Sequence, residues 1–102
     1  MQNNNITTKT QNKVLFSLGR TFLTMGAEEA LEETKQQPQE FLALHQSGDW
    51  GIVCDDDKKE NDFSLANGFR LLSAYKTAKG AKLWVITEAD RSSTTILLPS
   101  EY

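Results

Sequence analysis

The apolar positions of this chain change rhythm near residue 69. From there to residue 98 it reads FRLLSAYKTAKGAKLWVITEADRSSTTILL, three β-prone runs separated by two turn signals. The first run, residues 70–75, sets Leu71, Leu72 and Tyr75 among Arg70 and Ser73. Thr77, Ala78, Lys79 and Gly80 follow as a polar turn, in which Gly80 is free to take positive φ. The second run, residues 82–87, is rich in β-branched and aromatic side chains. Residues 88–92 break it, and the third run, residues 93–98, is stopped by Pro99, which lacks a ladder donor. Connections this short predict hairpins, hence a consecutive antiparallel meander. Period two places Leu83, Val85 and Thr87 on one face of the central strand and Trp84 and Ile86 on the other.

Before the meander the pattern is helical. Thr24 predicts an N-cap for a helix over residues 27–35, with Glu28 and Glu29 in its first turn and Ala27, Ala30 and Leu31 as its apolar stripe. Pro38 opens a second helix over residues 38–46, with Phe41, Leu42, Leu44 and His45 on its buried side and Gly48 as its stop. Asp55, Asp56 and Asp57 cap and open a third, over residues 55–67. Residues 14–22 carry apolar side chains around Gly19 and predict an irregular segment or a fourth strand at the edge of the meander. The whole is an α+β arrangement: three short helices packed on one face of a C-terminal antiparallel meander of three to four strands.

Composition narrows the picture. The 102 residues make one domain, residues 14–102, preceded by a tail over residues 1–13 whose Asn, Gln and Thr content predicts disorder. The net charge is −3 and no basic cluster exceeds two adjacent residues, which argues against nucleic acid as a partner. No apolar run reaches the length of a membrane span, and no secretory signal is visible. The single cysteine, Cys54, has no internal disulfide partner, which fits a cytoplasmic protein.

Candidate chemistry is sparse. The acidic triplet at 55–57 lacks the alternating ligands, central Gly and distal Glu of a calcium loop, so helix capping accounts for it and neither metal nor cofactor is expected. His45, the only histidine, is the one side chain whose ordinary pKa lies near neutrality, and beside apolar residues on a short helix it reads first as a packed or hydrogen-bonded structural residue. With Tyr75, Arg91, Thr94 and Thr95 it forms the candidate set for a small ribonuclease of the barnase, colicin or RelE type, working from the sheet face. Such a site requires His45 and Arg91 to face one cleft. Against it, Asp90 and Arg91 read as a hairpin turn, and Thr94 and Thr95 as β-formers. Trp50, Trp84, Asp90 and Arg91 are the candidate binding residues, the tryptophans because exposed indoles are enriched in hot spots, although a tryptophan in a small domain is more often core, Trp84 above all. A third reading is nucleic-acid mimicry by Glu28, Glu29, Glu32, Glu33 and the Asp triplet.

The runs SGDWG at 47–51, GFRLLSAY at 68–75 and WVITEADRSSTTILLPSEY at 84–102 together resemble a family of small, mostly uncharacterised bacterial proteins often carried on plasmids or other mobile elements. The resemblance spans residues 15–102, and ADRSSTTILLP is its most specific segment. It implies a context and no mechanism. The leading expectation is a non-enzymatic cytoplasmic accessory protein acting through a protein partner, with the ribonuclease as the alternative.

Overall fold

The computed structural model describes residues 13–102, so the tail expected to be disordered lies outside the described residues except for Lys13. In chain order the elements are β1 (Arg20–Leu23), α1 (Met25–Thr34), α2 (Pro38–Gln46), α3 (Asp55–Asn67), β2 (Leu71–Lys76), β3 (Lys82–Thr87) and β4 (Ser93–Leu97), followed by a 3-10 turn over Pro99–Glu101. The fold is α+β, and β2, β3 and β4 form the expected antiparallel meander. The fourth strand corrects the all-antiparallel expectation. β1 pairs parallel with β4, giving a mixed sheet ordered β1-β4-β3-β2. No tight turn ties β1 to its neighbour. Three helices and two strands intervene, so the connection is long enough for either direction.

Each helix begins and ends on local chemistry. Thr24 caps α1 by accepting from the Ala27 amide at 3.2 Å. Glu101, far along the chain, adds a second cap by accepting from the Gly26 amide at 2.9 Å and from the Thr24 hydroxyl. Those bonds, the Thr24 hydroxyl first, hold the Glu101 carboxyl below its ordinary range. Pro38 occupies the first turn of α2, where its missing N–H is no loss. Cys54, not an aspartate, is the N-cap of α3. Asp55, Asp56 and Asp57 fill its first turn, where their charge suits the helix dipole.

One core holds helices and sheet together. Ala27, Ala30 and Leu31 of α1 and Phe41 of α2 pack against Tyr75, Leu83, Val85 and Ile96. These sheet residues share one parity, as the register Tyr75↔Leu83 and Val85↔Ile96 requires. A second cluster, Phe16, Trp50 and Leu71 with Leu65 against it, fills the space between α3 and β2. The opposite sheet face carries Trp84, Ile86 and Leu97. The C-terminal Tyr102 lies edge-on against Trp84 at 5.6 Å, and Arg70 donates to the Tyr102 hydroxyl at 2.9 Å.

Candidate functional site

His45 sits at the centre of a sealed polar chain. Its helix carries it into the core, where it is 0% exposed. Its Nδ1 lies 2.6 Å from the Ser73 hydroxyl on β2 and its Nε2 lies 2.9 Å from the Thr87 hydroxyl on β3. Thr87 meets Thr94, its register partner on β4, at 2.7 Å, and Thr94 donates to the Leu18 carbonyl at 2.7 Å. The carbonyl can only accept, which fixes every proton in the row. Thr94 spends its hydrogen on Leu18, Thr87 therefore donates to Thr94, Nε2–H donates to Thr87, and Ser73 donates to Nδ1. The imidazole is neutral with its proton on Nε2. Burial first, and the Arg91 charge second, lower its pKa from 6.5 to about 4.

A serine–histidine pair invites a nucleophilic reading, but the arrangement cannot act as one. Ser73, Thr87 and Thr94 are as fully buried as His45, so no substrate reaches the hydroxyl. The other partner of His45, beside Ser73, is a threonine, not a carboxylate to stabilise an imidazolium. Phe16 and Trp50 close over the ring at 5.2 and 5.7 Å, both edge-on. The row works as a buried polar network with every member matched, joining α2 to three strands and to the segment before β1.

Arg91 occupies its hairpin in the left-handed region, at φ 61°. Its guanidinium donates to four backbone carbonyls: Phe69 at 2.7 Å, Glu88 and Ala89 each at 3.1 Å, and Ser64 at 3.2 Å. Ser64 lies in the last turn of α3, where a cation meets the negative end of the helix dipole. Arg91 therefore staples the β3–β4 hairpin to the end of α3 and stacks over Phe16 at 5.7 Å. Asp90 accepts from the Ser92 amide at 3.0 Å, and its bonds to Ser92 lower its pKa, as in an Asx turn. Both residues hold a turn, as the bland reading of that loop anticipated.

The structure does not bring the ribonuclease set to one cleft. His45 and Thr94 join in the core, Tyr75 lies in the same core and donates to the Asp49 carbonyl, and burial pushes its phenol well up. Arg91 is committed to carbonyls at the hairpin. Thr95 has the opposite parity to Thr94 and faces the other side of the sheet with Ile86. Of the candidate binding residues, Trp50 is only 4% exposed and donates its indole N–H to Asp62 at 2.9 Å, so it belongs to the core. Trp84 is half-buried under Tyr102. Among the described residues no group of three or more His, Cys, Asp or Glu is placed to hold a metal, and no helix is long and apolar enough to cross a membrane.

What sequence reasoning passed over is the treatment of the two sheet edges. The outer edge of β2 is shielded. Ala74 donates to Trp50 and accepts from Ile52, with Gly51 bridging to it in a parallel sense. Gly51 has φ +81°, and a Cβ there would lie 1.9 Å from the Ala74 carbonyl, so only glycine lets the loop come this close. Two residues along, the Asn61 amide donates to the Leu72 carbonyl at 2.8 Å and accepts from its N–H at 3.1 Å, imitating one more strand. β1, the other edge, has no such cover among the described residues. All four of its residues are exposed, Phe22 by 49% and Leu23 by 37%, and the adjoining Met25 by 77%. Residues 14–22 read as an irregular segment or an edge strand, and the strand forms at Arg20–Leu23; RTFL is too short to announce that its outer side has no partner among the described residues.

No family model, curated protein or solved structure matches the chain.

Proposed function

We propose that this chain is a non-enzymatic cytoplasmic accessory protein that acts by protein–protein contact, in keeping with the mobile-element family it resembles. The observation that carries the reading is the open β1 edge. Three large apolar side chains, Phe22, Leu23 and Met25, are exposed within four residues, beside strand backbone that has no partner on its outer side among the described residues. Such an edge is costly in a free protein and useful in a bound one. The sealed state of His45 supports the same reading, because the one side chain with an ordinary pKa near neutrality is closed to substrate.

Affinity capture with the full chain tests this. The native protein retains a protein partner from a bacterial lysate, and a Phe22→Ser/Met25→Gln variant loses it. In parallel, the purified protein leaves RNA uncleaved above background. Reproducible RNA cleavage, abolished by both His45→Ala and Arg91→Ala, would overturn the reading in favour of the ribonuclease alternative.

A further inference from the structure

We infer that the outer edge of β1 accepts an extended, lysine- or arginine-bearing segment of a partner protein as a fifth strand of the sheet. The inference rests on the protein-contact reading above and specifies the chemistry of the partner.

The backbone supplies the first part. Toward β4, the Arg20 amide donates to Ser92 at 3.0 Å and the Thr24 amide to Ile96 at 3.1 Å. Alternation then turns the N–H and C=O groups of Thr21 and Leu23 outward, where no further strand follows among the described residues. Protected edges carry a proline, an inward charge, a bulge or a covering element. β2 has the covering element. RTFL has none of these devices, and its one charge, Arg20, stands at its start.

Side chains of an added strand also find places. A cleft of about 460 Å³ lies between β1 and the α1–α2 connection, with Leu23, Leu31 and Pro38 as its apolar lining. A smaller one of about 130 Å³ continues along Phe22, Leu42 and Ile96. Alternate residues of an incoming strand would point toward these clefts, the usual source of specificity in strand addition.

Charge selects the occupant. Glu28 and Glu32 line the larger cleft with Lys35 as its only cation, and Glu29 and Glu33 extend the acidic surface of α1. A cationic strand is complementary to that rim. A second copy of this chain is not, because antiparallel pairing of β1 with its own copy would bring two acidic α1 helices to one side of the joined sheet.

The test uses the full chain and two capped eight-residue peptides, one alternating valine with lysine and one alternating valine with glutamate. Backbone amide spectra are followed during titration. The lysine peptide shifts the Thr21 and Leu23 amides saturably and slows their hydrogen exchange, while the glutamate peptide does not. Glu28→Gln/Glu32→Gln weakens the lysine peptide about fivefold. Thr21→Pro removes an outward N–H without touching the ladder to β4 and abolishes the response. If Thr21→Pro fails to fold, the glutamine pair alone decides. Equal response to both peptides, shifts confined to other elements, or a wild-type dimer with protected β1 amides would each overturn the inference. A captured partner that survives Thr21→Pro would overturn the edge and leave the protein-contact reading standing.

Discussion

The two edges of one four-stranded sheet have been treated in opposite ways. At β2 the outward backbone groups of Leu72 and Ala74 are matched, by the Asn61 amide and by the 50–52 segment. Behind that edge lie the His45 row, the Arg91 staple and the second apolar cluster. At β1 all four residues are exposed, Phe22 by 49% and Leu23 by 37%. Polar residues are buried toward the closed side; large apolar residues are exposed at both, with Ile52, Phe63 and Phe69 near β2, but among the described residues only those at β1 stand beside unmatched strand backbone. The difference teaches that the buried polar groups here serve the fold, and that the proposed contact surface coincides with backbone left unmatched at β1. Substitutions should therefore cost stability near β2 and leave it alone near β1.

The largest expected effect breaks the shield. Asn61→Ala leaves the Leu72 N–H and C=O without their partner at a position where the side chain is 5% exposed. The loss should be about 1–3 kcal/mol in chemical denaturation, with faster exchange of the Leu72 amide. An unchanged midpoint would mean that water replaces the amide freely and that the two edges differ less than their geometry suggests.

A smaller effect comes from pH. Folded His45 has its pKa lowered to about 4, while in the unfolded chain it returns to 6.5. Between those values the unfolded state binds the extra proton, so stability is complete above 6.5 and falls as pH drops toward 4. The loss from pH 6.5 to 5.5 should be about 1 kcal/mol. Asp90 and Glu101, whose pKa values are also lowered, lose their contributions only as pH falls below the ordinary carboxylate range. The upper window therefore reports on histidine. Denaturation midpoints of the native chain and of His45→Gln at pH 6.5 and 5.5 check this: the native chain should lose stability and the variant should stay flat.

The meander, the three helices and the core parity were legible because each rests on local pattern. Leu83 and Val85 alternate with Trp84, Pro38 and Gly48 punctuate α2, and the short turns at 77–80 and 88–92 leave only antiparallel pairing. The direction of β1 was not legible, since its partner is fixed by contacts some seventy residues away. The His45 row was half legible. Ser73 and Thr87 share parity with Leu71 and Leu83, which marks them as polar residues on a core face. Their convergence on one imidazole depends on how α2 crosses the sheet. Asn61 and Gly51 carry no local signal for edge protection, because an asparagine in a polar helix and a glycine in a loop are unremarkable until β2 lies beside them.

The smallest expected effect sharpens the comparison from the open side. Met25 begins α1 directly after β1 and is 77% exposed. The α1 residues in the core are Ala27, Ala30 and Leu31, so Met25 contributes little to burial. Its position in the first turn demands no particular side chain, since Thr24 and Glu101 already cap the helix. Met25→Gln exchanges a flexible apolar side chain for a polar one of similar length and comparable helix propensity. Unfolding stability should move by less than about 0.5 kcal/mol, the usual range for surface sites. Partner capture should weaken all the same, because a methionine beside an open edge supplies adaptable apolar contact to an incoming chain. A loss of stability above about 1 kcal/mol would place Met25 in the packing of α1, and the contrast between the edges would then rest on β1 backbone alone.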